Sequence, residues 1–174
     1  VITVGILGRT ARFIETLDEI LPKPCRESVN ILTSDTAEGL QSQAPLELLA
    51  IFPDRSVREV NALPACRLLL LPGTEASLIG RCKATCAMSY GVSSKDSLTI
   101  SSMEANQISV AVQRELVTVT GGTVEQQELI LGIREDKALL PLLAFVGLLL
   151  VLGVPAEELP ALLESKDTTI KTGI

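Results

Sequence analysis

Five short apolar runs punctuate the first ninety residues: Val1 to Leu7 (VITVGIL), Ser28 to Thr33, Leu46 to Phe52 (LELLAIF), Arg67 to Leu71 (RLLLL) and Thr85 to Tyr90 (TCAMSY). Each is too short for a helix of ordinary length, and none alternates cleanly between apolar and polar residues. Continuous apolar runs of this length are what strands need when both faces of their sheet are covered, and that is the condition of a parallel sheet. Parallel neighbours require crossover segments, and the intervening stretches supply them. Ala11 to Leu21 places Phe13, Ile14, Leu17, Ile20 and Leu21 at helical spacing, and Pro22 and Pro24 are expected to end that helix. Shorter helices or turns are expected over Asp35 to Gln43, Val57 to Leu63 and Glu75 to Cys82. Right-handed crossovers then give a Rossmann-like, mostly parallel α/β sheet.

From residue 91 the pattern changes. Leu98 to Met103, Gln107 to Gln113, Leu116 to Thr120 and Thr123 to Leu131 are strand candidates with only short turns between them. Gly121-Gly122 stands between VTVT and TVEQQELIL, a hairpin signal because glycine accepts the positive φ of tight turns. Along Gln107 to Gln113 (QISVAVQ) polar residues alternate with apolar ones, so one face of that strand is expected to be wet. These strands are expected to form an antiparallel β-meander that extends the sheet or makes a small flap.

Ala138 to Pro155 carries no charge, at the lower limit for a membrane span. A helix buried against the sheet is the expected reading. Pro141, Gly147 and Gly153 shorten its good helical part, no basic cluster flanks its far end, and an amphipathic helix to Leu163 follows at once. The tail after Ser165 is polar and is left either loose or as an added edge strand. The organisation is one domain over 1–174: a parallel βα half (1–90), the meander (91–133) and C-terminal helices (134–165).

Composition narrows the function. The 174 residues carry net charge −6, with 15 Lys and Arg against 21 acids. That balance cannot make the basic surface a phosphate backbone requires, so no nucleic-acid partner is expected. Three Phe, one Tyr and no Trp leave little for stacking on bases or sugars. Val1 opens directly into a strand-like run with no basic segment ahead of it, and a cytoplasmic protein with no membrane partner is expected.

The catalytic vocabulary is thin. With no His in the chain there is no Ser-His-Asp or Cys-His arrangement and no imidazole metal ligand. No GxxxxGK[ST] loop occurs. Cys25, Cys66, Cys82 and Cys86 form no CxxC pair. Cys82 and Cys86, one helical turn apart, could share a metal or a redox role, but reduced buried thiols are the ordinary outcome and no metal site is expected.

In a doubly wound sheet, ligands bind at the carboxyl ends of the strands. Four loops qualify: Gly8-Arg9-Thr10, Ser34-Asp35, Pro53-Asp54-Arg55 and Pro72-Gly73-Thr74-Glu75. In the first, VGILGRTARF puts Gly5 and Gly8 near the strand end with Arg9 and Thr10 at a helix start, where free amides and the helix dipole can hold an anion. It is not GxGxxG, and the plainer reading makes Thr10 a helix N-cap after a tight turn. Asp35 stands where a ribose-binding acid would follow strand two, and Thr74 and Glu75 suit a helix cap. The candidate ligand-binding residues are therefore Gly8, Arg9, Thr10, Asp35, Gly73 and Thr74, for a small anionic ligand. No cofactor is singled out.

One stretch resembles a known family. Ser89-Tyr90-Gly91-Val92, then Ser97 to Ser102 (SLTISS), several strands, Gly132, and a long Ala/Leu helix ending Leu152-Gly153-Val154-Pro155-Ala156-Glu157-Glu158 are similar to the latter part of the Mur ligase central domain. The likeness covers about residues 89–163. Mur ligases activate a carboxylate with ATP through a Gly-Lys-Thr/Ser loop and hold magnesium with acidic and histidine residues. This chain has neither that loop nor a histidine, and Glu135-Asp136-Lys137 replace the Asn-rich signature that opens the family's helix. The resemblance therefore implies a shortened, non-ligase relative and carries over no catalytic residue. Two functions follow as expectations: a non-catalytic binding or interaction domain that uses the loop crevice or the meander face, with a homodimer as one form, or a small enzyme acting on a nucleotide or nucleotide-sugar-like ligand.

Overall fold

A computed structural model describes residues 1–8, 11–43, 45–53, 57, 60–132 and 138–164, with 11–13 described by their backbone. Among these residues eight strands form one sheet in the order β10-β7-β6-β5-β4-β3-β1-β2. The parallel part comprises β1 (Ile2–Leu7), β2 (Val29–Ser34), β3 (Leu46–Ile51), β4 (Cys66–Pro72) and β5 (Ala84–Tyr90). The expected Rossmann-like sheet is thus present, in its 2-1-3-4-5 strand order.

Burial on both faces explains the apolar runs. Leu48, Ala50, Leu68 and Leu70 point into one core with α1 (Ala11–Ile20) and α4 (Leu139–Val151). Leu49, Ile51, Leu69 and Leu71 point into the other, with α3 (Ala37–Gln41) and Leu78 of the 3-10 helical stretch Gly73–Arg81. Because successive strand residues face opposite ways, the β3 and β4 runs had to be apolar throughout, whereas β2 and β5 expose Asn30, Thr33, Thr85 and Ala87. On α1, Leu17 and Ile20 are buried and Ile14 packs against the same core, as the helical spacing requires; the Phe13 side chain lies outside the described residues.

α1 ends at Ile20, just ahead of Pro22, as expected; Pro24 comes too late to act on it. Pro24 lies inside a second short helix, α2 (Lys23–Ser28), in the first turn, where proline's missing N–H has no intrahelical partner to lose. The stretch after β4 is a kinked pair of 3-10 turns, with non-helical backbone at Glu75. Pro72 is its N-cap residue and no side chain caps it, so Thr74 does not play the capping part assigned from sequence.

The meander extends the sheet as expected. It comprises β6 (Leu98–Glu104), β7 (Gln107–Val112) and β10 (Gln127–Gly132), paired antiparallel. β6 pairs with β5 at one position, Tyr90 with Leu98. It starts where β5 stops and runs on in the same direction, which is why the seven residues between them suffice although a full parallel crossover needs about a dozen. The meander therefore stands beyond the carboxyl ends of the parallel strands. Ile108, Val110 and Val112 are core while Gln107, Ala111 and Gln113 are half-buried, so the alternation in QISVAVQ does separate two faces.

β8 (Leu116–Val117) and β9 (Thr123–Val124) form a separate two-stranded hairpin, with Gly121 at φ 85° in its turn. Arg67 locks it down: its guanidinium pairs with Glu47, and Nη2 donates to the carbonyls of Thr118 (3.1 Å) and Val119 (3.0 Å). Since Glu47 and Arg67 lie at the starts of β3 and β4, the hairpin closes the amino-terminal end of the sheet.

The uncharged stretch forms α4, in which every residue from Leu142 to Val151 is buried. Thirteen residues span about 20 Å, well short of a bilayer's hydrocarbon core. No helix among the described residues is long and apolar enough to cross a membrane. Pro141 falls in the first turn of α4, where it costs no backbone bond. The helix ends in paired bonds, Gly153 N to Leu150 O and Val154 N to Leu149 O, both 3.0 Å. This is the Schellman arrangement, and Pro155 follows because the helix cannot continue. α5 (Leu159–Glu164) then packs against β10, its Glu164 accepting from the Gly132 amide at 3.3 Å.

Candidate functional site

The strand order reverses at β1. From β1 the chain leaves through α1 toward one core; from its neighbour β3 it leaves toward the other, where Val57 and Leu63 are buried. The two crossovers thus part on either side of the ends of β1 and β3. Such a parting is the crevice at which doubly wound sheets take ligands.

Gly8 forms its floor. Its φ of 124° is a conformation that side-chain-bearing residues rarely adopt, so glycine is required at this exit from β1. The Gly8 amide donates to Ser34 O at 3.0 Å, and Leu7 O accepts from Phe52 N at 2.9 Å. The ends of β1, β2 and β3 are thereby tied at one level. Gly8 N–H is engaged, so an anion here would need the amides that follow it; Arg9 and Thr10 lie outside the described residues, as do Asp54 and Arg55.

Leu7 pairs with Ser34, which brings Asp35 beside Gly8 across the ends of β1 and β2. Asp35 is exposed. Its neighbours are fixed by local bonds: Ser34 Oγ accepts from Thr36 N at 3.1 Å, and Thr36 Oγ1 accepts from Gly39 N at 3.3 Å as the N-cap of α3. Gly73 and Thr74 follow β4, two strands from β1, or about 10 Å at ordinary strand spacing. The loops are thus brought to one end of the sheet, in two groups.

The second group contains a residue the sequence did not single out. Asp96, in the turn between β5 and β6, is 5% exposed. Its carboxylate fills the space beside two glycines. A Cβ built on Gly73 would stand 1.9 Å from Asp96 Oδ1, and one on Gly91 would stand 2.4 Å from Oδ2. Ser93 N donates to Oδ2 at 3.1 Å, and Asp96 N donates to Ser93 O at 3.0 Å. Ser89 and Ser97 fasten the base of the turn, each amide donating to the other's hydroxyl at 3.3 Å. Gly73 is therefore small because it makes room for Asp96, which places an acidic group, not an anion cradle, at the end of β4. Neither glycine has a positive φ; the need is space.

Tyr90 supports the site from beneath. Fully buried, it donates from its phenol to Ile51 O at 2.7 Å, linking the ends of β5 and β3 across β4. Burial pushes its pKa well up, so it acts as a neutral donor. Read from sequence, Tyr90 was only the last residue of a strand, and Asp96 one polar residue among several in SSKDS. Gly73 and Gly91 at the ends of two neighbouring strands were the available signal, but reading it needs the register of β4 against β5.

Beyond the Asp96 turn lies a concavity of about 630 Å³ on the face of the meander that, among the described residues, bears no helix. Val92 and Ser94 of that turn border it, with Thr99, Ala111 and Glu128 aligned across β6, β7 and β10 as its floor. Thr99 Oγ1 is, among the described residues, the buried side-chain polar atom without a hydrogen-bond partner. The lining mixes Ser, Thr and Gln with Val92, Ile100, Ala111 and Val112 and one acid.

The cysteines are arranged otherwise than their spacing suggested. Cys86 lies on β5 against the core that holds α4, and Cys82 packs into the opposite core, so the two are on different faces of the sheet. No metal-holding cluster of three or more Cys, Asp or Glu occurs among the described residues. Comparison with protein-family models finds no match to this chain, and comparison with curated proteins finds none either.

Proposed function

We propose that this chain is a non-catalytic binding domain that takes a small anionic ligand, of nucleotide or nucleotide-sugar type, in the crevice between the ends of β1 and β3. The observation that carries the reading is the reversal of strand order at β1, which sends successive crossovers to opposite faces of the sheet. In this reading the Gly8-Arg9-Thr10 loop meets the anionic group, and Asp35 accepts from hydroxyls. The acid at the end of β4 restricts the anionic end to the β1 side. What supports a non-catalytic role is the chain's lack of His and of a P-loop. The likeness to the Mur ligase central domain is then one of ancestry without the ligase chemistry. A cytoplasmic location accompanies this proposal, in keeping with four free thiols.

The test is isothermal titration of the protein with nucleoside diphosphates and nucleotide sugars, beside the Arg9→Ala variant. The proposal expects saturable binding that weakens in Arg9→Ala while the melting temperature holds. Affinity retained in that variant would remove the first loop from the site.

A further inference from the structure

Cys66 opens β4, and Cys82 stands two residues before β5. Sixteen positions separate them in sequence, yet the parallel register of β4 on β5 brings their Sγ atoms to 3.6 Å. The Cys66 amide donates to Lys83 O at 3.1 Å, fixing the two backbones side by side at this point. Cys66 is 5% exposed, whereas Cys82 is half-buried and its thiol donates to Pro64 O at 3.4 Å. One sulfur is therefore reachable from solvent, with a second directly behind it. We propose that Cys66 and Cys82 form a peroxide-reactive dithiol, with Cys82 as the attacking thiol and Cys66 as the resolving one, closing to an intramolecular disulfide.

The step balances as follows. The Cys82 thiolate attacks one oxygen of hydrogen peroxide; an S–O bond forms, the O–O bond breaks and hydroxide leaves. Cys66 gives its proton to that hydroxide, and its sulfur attacks the Cys82 sulfenic acid. The S–S bond forms, the S–O bond breaks, and the departing hydroxide takes a proton to become the second water. Two thiols are oxidised and one peroxide is reduced.

The electrostatics of the pair agree with these roles. The hydrogen bond from Cys66 holds the Cys82 thiol below its ordinary pKa against the opposing effect of burial. The same bond, with burial, pushes Cys66 up. The thiol that is less buried and biased toward thiolate is the one that meets an oxidant first. Cys25, pushed up by burial and by Glu158, has no such partner among the described cysteines.

The experiment is peptide mapping of the reduced chain after stoichiometric hydrogen peroxide, alkylated and digested without reductant. The expected product is one cross-linked species joining the Cys66 and Cys82 peptides, lighter than the separate peptides by two hydrogens, with Cys25 and Cys86 still alkylated. In Cys66→Ala the Cys82 sulfenic acid should persist and be trapped by dimedone; in Cys82→Ser, Cys66 should stay reduced. Sulfinic acid at Cys82 of the unmutated chain without a cross-link would overturn the proposal, as would a link to Cys25 or Cys86. The map of the unmutated chain decides the matter even if a variant fails to fold.

Discussion

Replacing Gly73 by Ala tests how the end of β4 is built. The new methyl would begin 1.9 Å from Asp96 Oδ1 and 2.7 Å from its Cγ, distances no relaxed structure tolerates. Asp96 Oδ2 already fills the space beside Gly91, where a Cβ would stand 2.4 Å from it, so the carboxylate has little room to shift that way. It must therefore swing out and give up the bond from Ser93 N. Losing a bond to a charged acceptor costs about 1.5–3 kcal/mol, and forcing a methyl into packed space costs about 1–3. Since swinging out relieves part of the overpacking, a loss of about 2–4 kcal/mol is expected, or roughly 4–16 °C in melting temperature for a chain of this size. Urea unfolding should show a lower midpoint at unchanged m. Asp96→Ala alone should cost about 1–3 kcal/mol. In Gly73→Ala/Asp96→Ala the methyl occupies the vacated space, so the double loss should fall short of the sum by about 1–3 kcal/mol. Gly73→Ala/Asp96→Asn keeps the bulk and should show no such recovery. Additive losses in the Ala pair, or a neutral Gly73→Ala, would refute the packing of Asp96 between the two glycines.

Four further outcomes are expected. Tyr90→Phe removes the phenol bond to Ile51 O and should cost about 1–2 kcal/mol in urea unfolding. Because burial raises the folded phenol's pKa, the stability tied to it is whole below the unfolded value of about 10 and is lost as pH climbs beyond it. Tyr90 is the only tyrosine, so phenolate absorbance should appear together with alkaline unfolding; ionisation in the folded chain would contradict its burial. Arg67→Ala releases the Thr118 and Val119 carbonyls and should cost about 1–2 kcal/mol, with limited proteolysis of the β8–β9 hairpin accelerated. If the Cys66–Cys82 disulfide forms, the oxidised chain should gain up to about 3 kcal/mol from its shorter unfolded reach, read as a higher urea midpoint than that of the reduced chain.

Much of this architecture is legible in residue order because its cause is local. Leu48 to Ile51 and Leu68 to Leu71 are buried on both faces, and no polar residue could stand within them. The Gly121 turn and the α4 helix declare themselves for similar reasons. What escaped depends on juxtaposition. Helix α2 escaped because a proline such as Pro24 reads as a breaker unless it is known to sit in a first turn. Asp96 gains its setting from β4 and β5 lying side by side. The Cys66–Cys82 contact arises from the same register, whereas Cys82 and Cys86, four apart in sequence, fall on opposite faces of the sheet. Of the crevice, Gly8 and Asp35 were visible as strand exits, since any doubly wound sheet places its loops there; the acid beside Gly73 was not.

The central claim is that the opening between β1 and β3 is where this domain binds. Backbone chemical-shift mapping during titration with a nucleoside diphosphate or a nucleotide sugar tests it directly. The account predicts perturbations centred on Gly8, Ser34, Asp35 and Phe52, with Thr99, Ala111 and Glu128 on the meander unmoved. Perturbations centred on those meander residues, or none with either class of ligand, would contradict it.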